Sequence, residues 1–356
     1  GDHRDLHVRS RRQRQMCIRD SFRTKTLEEE FKSGVRSQKI PTRYLKLSPE
    51  EIKTSIKEIK KSLGEKVIIL GHHYQREDVI EFSDLQGDSY LLSKLASETK
   101  DAEIIVFCGV HFMAETAEIL SSSKQKVILP NMAAGCSMAD MASSNDVIRS
   151  WKQINDMLPS KSSKKSVIPV TYMNSAASIK SLCGENNGIV CTSSNANQAF
   201  EWAYQRGERI LFIPDQHLGR NTAVNYGIDK SEMVIWDPYK PNGGLTKEEL
   251  ENSKIILWKG HCSVHTRFSV EQINKAKKDY PDVNILVHPE CTNEVVSEAD
   301  YVGSTEYIKN MVHNAPAGSS WAIGTEINLV KRLAHTYNCL LYTSDAADDS
   351  LRVDLG

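Results

Sequence analysis

The chain has 356 residues, 45 Lys and Arg against 46 Asp and Glu, a formal net charge of -1 and 40% hydrophobic residues. That balance argues against a nucleic-acid or membrane-surface protein, and the length suggests two or three domains with ample material for a packed core. No apolar run approaches the ~20 residues that a membrane helix needs. The N-terminus carries no apolar signal core, so a cytoplasmic protein is expected.

In chain order, residues 1–23 crowd arginines (Arg4, Arg9, Arg11, Arg12, Arg14, Arg19) without any helical or strand period. Met16–Ser21 and Leu340–Asp348 resemble translated sequencing-adapter sequence, so 1–23 and 338–356 are set aside as foreign to the fold. Ser48-Pro49-Glu50-Glu51 predicts a helix start: a serine cap, proline at the first helical position and a glutamate three residues after the cap. Ile52, Ile56, Ile59 and Leu63 continue it as one apolar face, and Gly64 can close it. Strands are predicted at 66–70, 104–107, 127–129, 188–190, 210–213, 255–258 and 301–302. Amphipathic stretches such as 196–206 and 270–280 lie between them. Such alternation points to parallel sheets covered by helices.

Three apolar runs end in polar pairs spaced two apart: Val67–Leu70 before His72 and Tyr74, Ile168–Val170 before Tyr172 and Asn174, and Asn284–Val287 before His288 and Glu290. In extended backbone, residues i and i+2 project to one side, so each pair points beyond the carboxyl end of a strand, where open α/β sheets bind ligands. Three such endings at roughly hundred-residue spacing suggest three similar units delivering side chains to one site. Gly87-Asp88-Ser89, Thr192-Ser193-Ser194-Asn195 and Gly303-Ser304-Thr305 each precede a helix. They are either ordinary caps or anion sites.

Eight cysteines carry no C-x-x-C, and disulfides are not expected. His261-Cys262-Ser263-Val264-His265 could supply zinc ligands through His261, Cys262 and His265, although no acidic residue lies between the histidines. Cys136 lies in a loop beside Gly135, where the backbone can approach a ligand closely.

Taken together, Gly71-His72-His73-Tyr74-Gln75, Gly87-Asp88-Ser89, Phe112–Ala117, Ala134-Gly135-Cys136-Ser137, Tyr172–Ser175, Thr192–Asn195, Pro214–Gly219, Cys262–His265, Val287–Glu290 and Gly303–Thr305 closely resemble the quinolinate synthase family. The resemblance runs in order over essentially all of 60 to 335. It implies a soluble enzyme of NAD biosynthesis that condenses iminoaspartate with dihydroxyacetone phosphate to quinolinate, with an aspartate oxidase or dehydrogenase upstream. It implies an α/β fold of three similar three-layer α/β/α domains with parallel sheets around a pseudo-threefold axis, here 24–142, 143–262 and 263–337. It also implies a [4Fe-4S] cluster whose open iron acts as a Lewis acid.

By motif, Cys136 and Cys262 match two cluster ligands, whereas Cys108, Cys191 and Cys291 fall where the pattern asks for none. The family's third cysteine lies past the helix that begins near Glu326. This chain leaves the pattern near 336, and Cys339 belongs to the adapter-like tail and is not taken as the ligand. His72, Tyr74, His288 and Glu290 match catalytic positions, with Tyr74 and Glu290 expected to transfer protons. Ser89, Tyr172, Asn174, Ser193, His265, Ser304 and Thr305 match substrate-binding positions. The alternatives are a zinc-dependent hydrolase or aldolase, and a cluster-less fragment that binds substrate without turning it over.

Overall fold

The computed structural model describes residues 40–159, 165–337 and 340–342. Among the described residues, 40–53 with 131–133 form one unit, and the others form a second that holds every described strand. The predicted helix start is present. Helix α1 (Pro49–Leu63) follows a capping box in which the Glu51 carboxylate accepts from the Ser48 amide at 2.7 Å and hydroxyl at 2.8 Å. Its apolar face is less covered than the pattern predicts. No residue of α1 is fully buried, and Ile59 is more than half exposed.

Three parallel sheets follow. The first is ordered β2-β1-β3-β4, from β1 (Val67–His72), β2 (Leu85–Gly87), β3 (Ile104–Cys108) and β4 (Lys126–Ile128). The second is ordered β6-β5-β7-β9-β8, from β5 (Lys165–Tyr172), β6 (Ile189–Cys191), β7 (Gly207–Ile213), β8 (Met233–Trp236) and β9 (Ile255–Trp258). The third is ordered β11-β10-β12-β13, from β10 (Val283–Val287), β11 (Tyr301–Val302), β12 (Ser320–Gly324) and β13 (Leu340–Tyr342).

Each sheet thus begins with the same winding: the first strand is central, the second lies on one side and the third on the other. The order reverses between the first and third strands, which makes the carboxyl ends of β1, β5 and β10 the switch points where such sheets open a crevice. The three polar pairs found in the sequence sit at those ends.

Four strands were not foreseen. β2 and β12 lack a β-branched run, and pairing with a neighbour decides them rather than local propensity, whereas β8 (Met-Val-Ile-Trp) carries strand-forming residues that the sequence reading passed over. β13 lies in the segment set aside as foreign to the fold. There Leu340-Leu341-Tyr342 pairs with the free edge of β12; residues 1–23, with their arginine-rich arm, lie outside the described residues.

The helices that matter for the site are α2 (Glu77–Ile80), α3 (Ser89–Glu98), α4 (His111–Leu120), α5 (Ser144–Met157), α6 (Ala177–Glu185), α7 (Ala196–Tyr204), α8 (Gln216–Asn225), α9 (Val270–Asp279), α10 (Thr305–His313) and α11 (Ile327–Tyr337). They cover the sheets and bury Phe107, Phe200, Phe212, Trp236 and Trp258 among the strands. At roughly 1.5–3 kcal/mol for each large apolar side chain removed from water, these side chains contribute heavily to the burial that holds the sheets.

A repeated device marks the relatedness of the first and third sheets. The Asp84 carboxylate accepts from the Ile69 amide at 2.8 Å while the Asp84 amide donates to the Ile69 carbonyl at 2.7 Å. Asp300 does the same for Ile285, at 2.8 and 3.0 Å, with the same separation of 15 residues. In the register of the second sheet, the matching positions are Pro169 and Gly188. Pro169 has no N–H to satisfy, so no carboxylate is needed there. A Cβ on Gly188 would collide with the Pro169 carbonyl oxygen. We expect Gly188→Ala to lower the denaturation midpoint, by more than ~2 kcal/mol in chemical unfolding, because the obstacle is backbone and cannot swing away. Gly184→Ala, whose Cβ would meet open space, is the control and should leave the midpoint nearly unchanged.

Candidate active site

The three strand ends converge on one cavity of about 260 Å³. Its wall includes His72, Tyr74, Tyr172, Asn174, His288 and Glu290, so all six residues of the three pairs meet as predicted. Ser89, Ser193, Thr305, Cys136 and Cys262 line it as well. Two predicted residues sit elsewhere. Ser304 opens on a neighbouring cavity of about 540 Å³ that shares Ser193 with the first, and its hydroxyl caps α10 through the Tyr307 amide at 3.4 Å. His265 lies outside the wall, almost wholly buried, and bonds to Glu290.

His72 and His288 use the same local arrangement. In each, Nδ1 accepts from the amide two residues later, Tyr74 N at 3.2 Å and Glu290 N at 3.3 Å. That fixes the neutral tautomer with hydrogen on Nε2. Burial drives both pKa values down to about 3. The charges of His73 and Arg332 add to the effect at His72; at His288 the Glu290 charge opposes it and His265 adds to it. Both rings are therefore neutral donors at physiological pH. His72 Nε2 faces the Ser89 hydroxyl at 3.5 Å, at the start of α3, where Asp88 rather than Ser89 performs the capping.

Glu290 is the centre of charge. Burial works against its carboxylate, but the neighbouring His288 and His265 rings and hydrogen bonds from His265 and Tyr172 outweigh that cost and hold the group below the ordinary range. Burial and the Glu290 charge together raise the Tyr172 hydroxyl well above its usual value, so it stays a donor to Glu290, while Ser193 donates to the Tyr172 oxygen. The same two causes raise buried Asp215. Its Oδ1 caps α8 by accepting from His217 and Leu218 at 2.7 and 2.9 Å.

A continuous hydrogen-bonded chain leads from the cavity to Glu290. The Tyr74 hydroxyl lies 3.0 Å from the Thr305 hydroxyl and 3.1 Å from that of Thr325. Thr325 is 3.1 Å from His265 Nε2, and His265 Nδ1 is 2.8 Å from Glu290. The direction follows from the carboxylate. Ionised Glu290 only accepts, so His265 Nδ1–H donates to it, and with the ring neutral Nε2 accepts from Thr325. Thr325 then has its oxygen free to accept from Tyr74, and Tyr74 accepts from Thr305. Sequence reasoning missed Thr325. It follows β12, a strand that was not foreseen, and sits at that strand's carboxyl end, a position that would have drawn attention had β12 been recognised.

Cys136 and Cys262 line the cavity together. Burial pushes the Cys136 thiol up to about 11, and burial with the Glu290 charge pushes Cys262 higher still. Thiolates here therefore need a cation beside them. Cys262, His265 and Glu290 bring ligand atoms within 4.8 Å of one another. Glu290, not His261, completes that group, which corrects the ligand set of the zinc alternative raised from the sequence. Cys291 is buried and donates to the Gly324 carbonyl at 3.7 Å, and Cys183 and Cys191 are buried in the core.

With this geometry established, comparison with known proteins is decisive. The profile of the quinolinate synthetase A protein family matches residues 54–345. This chain belongs to that family. The match runs past 336, where the sequence pattern was expected to end. A quinolinate synthase of Corynebacterium glutamicum is 55% identical over 310 residues, covering 86% of this chain and 78% of that protein. One from Streptomyces coelicolor is 56% identical over 276 residues, covering 77% and 69%, and one from Bacillus cereus is 51% identical over 294 residues, covering 83% and 78%. The relatives are enzymes, and the Cys-His-Glu group agrees with a metal cofactor. Among the described residues, no helix is long and apolar enough to cross a membrane.

Glu326, next to Thr325, supplies a pH test of the site's foundation. Burial raises its pKa from 4.5 to about 7, against hydrogen bonds from Leu329 and Asn328 and the charge of Arg332. The folded state therefore binds a proton between about pH 4.5 and 7 that the unfolded chain has released, so its contribution to stability falls as pH rises through that window. Glu326→Gln should flatten this part of the curve of denaturation midpoint against pH. An unchanged slope would show that Glu326 is ionised throughout.

Proposed function

We propose that the chain is a quinolinate synthase that condenses iminoaspartate with dihydroxyacetone phosphate in NAD biosynthesis, using a [4Fe-4S] cluster. The observation that supports this best is the directed chain from Tyr74 through Thr325 and His265 to Glu290, with both ends in the cavity wall. The three sheets correspond in this reading to three domains, with boundaries near 142 and 262.

Cys136 and Cys262 would supply two thiolates to the cluster, and their sulfur chemistry and placement on one cavity wall fit that role. Among the described residues, no third thiol lines this cavity, and Cys339 lies outside them. When bound, the cluster supplies a Lewis-acidic iron that polarises a substrate oxygen.

The chain's own residues do the rest. Tyr74 points its proton at Thr325, so its oxygen presents lone pairs to the cavity. Burial and the Glu290 charge raise the Tyr74 hydroxyl well above its usual value, so its proton would pass along Thr325 to His265 Nε2 only as Oη takes one from substrate, and Glu290 stabilises the imidazolium formed. Return of the proton makes Tyr74 an acid for a departing hydroxyl. Isomerisation, imine formation and dehydration each require such transfers. Neutral His72 and His288 offer Nε2–H donors to substrate carboxylate or phosphate oxygens, with Ser89, Ser193 and Thr305 beside them.

Quinolinate formation from dihydroxyacetone phosphate and iminoaspartate generated in situ, under anaerobic conditions after iron and sulfide reconstitution, tests the reading. Thr325→Val should lower kcat by about 10²-fold or more, the scale of a lost acid–base relay, while Thr325→Ser should stay within a few-fold of the parent. Equal losses in both variants would show that the hydroxyl is not the part that matters. Cys136→Ser and Cys262→Ser should each abolish the brown colour of the reconstituted protein. A colourless parent that makes quinolinate would refute the cluster. The Cys262–His265–Glu290 group favours a second reading, a single-zinc hydrolase or aldolase. Metal analysis giving one zinc per chain without iron or sulfide would select it.

A further inference from the structure

The segment that carries Tyr74 is held by a helix distant in sequence. Residues 73–75 lie between the end of β1 and Arg76, the N-cap of α2, so their carbonyls belong to neither the sheet ladder nor the helix. All three are nonetheless taken up, and all by α11. Arg332 donates through one guanidinium nitrogen to the His73 carbonyl and through another to the Gln75 carbonyl at 3.1 Å. Between them, Asn328 Nδ2 donates to the Tyr74 carbonyl at 3.3 Å.

The clamp is itself braced. Glu326 accepts from the Asn328 amide at 2.9 Å and from its side chain at 2.7 Å, which fixes the Asn328 rotamer at the start of α11. Arg332 reaches Glu77 at 3.4 Å on the far side of the segment. The neighbouring His73 side chain turns away from the cavity and pairs with Glu306 of α10 at 2.5 Å.

We propose that Arg332, with Asn328, is a positioning residue that sets the Tyr74 hydroxyl. The physical reason is the geometry of the guanidinium. A planar fork with five N–H donors can hold two carbonyls two residues apart at once, which a lysine ammonium cannot reproduce in fixed geometry. Holding the carbonyls of 73 and 75 leaves residue 74 little freedom, and the third bond, from Asn328, removes rotation of that peptide. The hydroxyl is then delivered within hydrogen-bond distance of both Thr305 and Thr325. None of these α11 residues lines the cavity, so their effect is exerted through Tyr74. The proposal rests on the reading of Tyr74 as the proton-transfer group.

The test uses the chain labelled with 13Cζ-tyrosine, with the Tyr74 resonance assigned by Tyr74→Phe, so it does not depend on turnover. Arg332→Ala should shift or broaden the Tyr74 resonance, and guanidinium at about 50 mM, far below denaturing concentrations, should restore it. Hydrogen exchange over residues 72–78 should quicken about ten-fold or more in the same variant, and Arg332→Lys should recover little of the loss. In reconstituted enzyme, kcat should fall by about ten-fold or more with KM changed less, since misplacement by an ångström costs rate on this scale. An unmoved Tyr74 resonance in folded Arg332→Ala, or a shift that guanidinium leaves in place, overturns the clamp. If Arg332→Ala does not fold, Asn328→Ser carries the same resonance and exchange measurements. A parent chain that makes no quinolinate overturns the function proposed above, while the resonance and exchange results still decide the clamp.

Discussion

A carboxylate buried as deeply as Glu290 can persist only among donors, and much of this site is organised by that requirement. His265 and Tyr172 come from segments far apart in the chain to hydrogen-bond it, and His288 lies beside it in the same strand end. Because Glu290 can only accept, it orients His265, and His265 in turn orients Thr325 and then Tyr74. The polarity of a chain four residues long is therefore set at one end. Burial, with the same charge added to it, raises Cys262, Tyr172 and Asp215. A cation entering beside Cys262 would meet a carboxylate already in place.

The fold serves this arrangement by repetition. Three sheets with one winding bring three switch points to a common space, and each switch point ends in a strand that projects alternate side chains the same way. Repetition extends to detail: the His72 and His288 rings are fixed by the amide two residues on, and Asp84 and Asp300 seal equivalent positions beside β1 and β10. Adjacent residues His72 and His73 show how alternation divides labour. One ring faces the cavity, and the next turns outward to Glu306 and helps hold the segment in place.

The i, i+2 pairs were legible because strand periodicity is a local property, and each pair begins within two residues of the end of an apolar run. Cys136 and Cys262 were legible only through family resemblance, since spacing alone left zinc, iron and structural thiols open. Thr325 was hidden because β12 has little local strand signal and acquires its conformation from β10. Arg332 and Asn328 were hidden for a different reason. On a helix of ordinary amphipathic pattern they read as solvent-facing polar residues, and nothing near them in sequence announces a loop more than 250 positions earlier as their partner. The placement of His265 behind Glu290, rather than in the wall, likewise depends on how β10 and the turn at His265–Arg267 meet.

The second sheet's solution at Pro169 and Gly188 ties two positions into one decision. Restoring an ordinary residue at 169 would expose an N–H with no acceptor opposite it, because Gly188 has no side chain. Placing an aspartate at 188 alone would drive a side chain into the Pro169 carbonyl and offer its oxygens to a donor that does not exist. The middle unit can therefore not drift toward the pattern of its two neighbours one substitution at a time. The obstacle at 188 is a backbone oxygen that any residue at 169 would keep, so even the double change requires the two strands to shift apart locally.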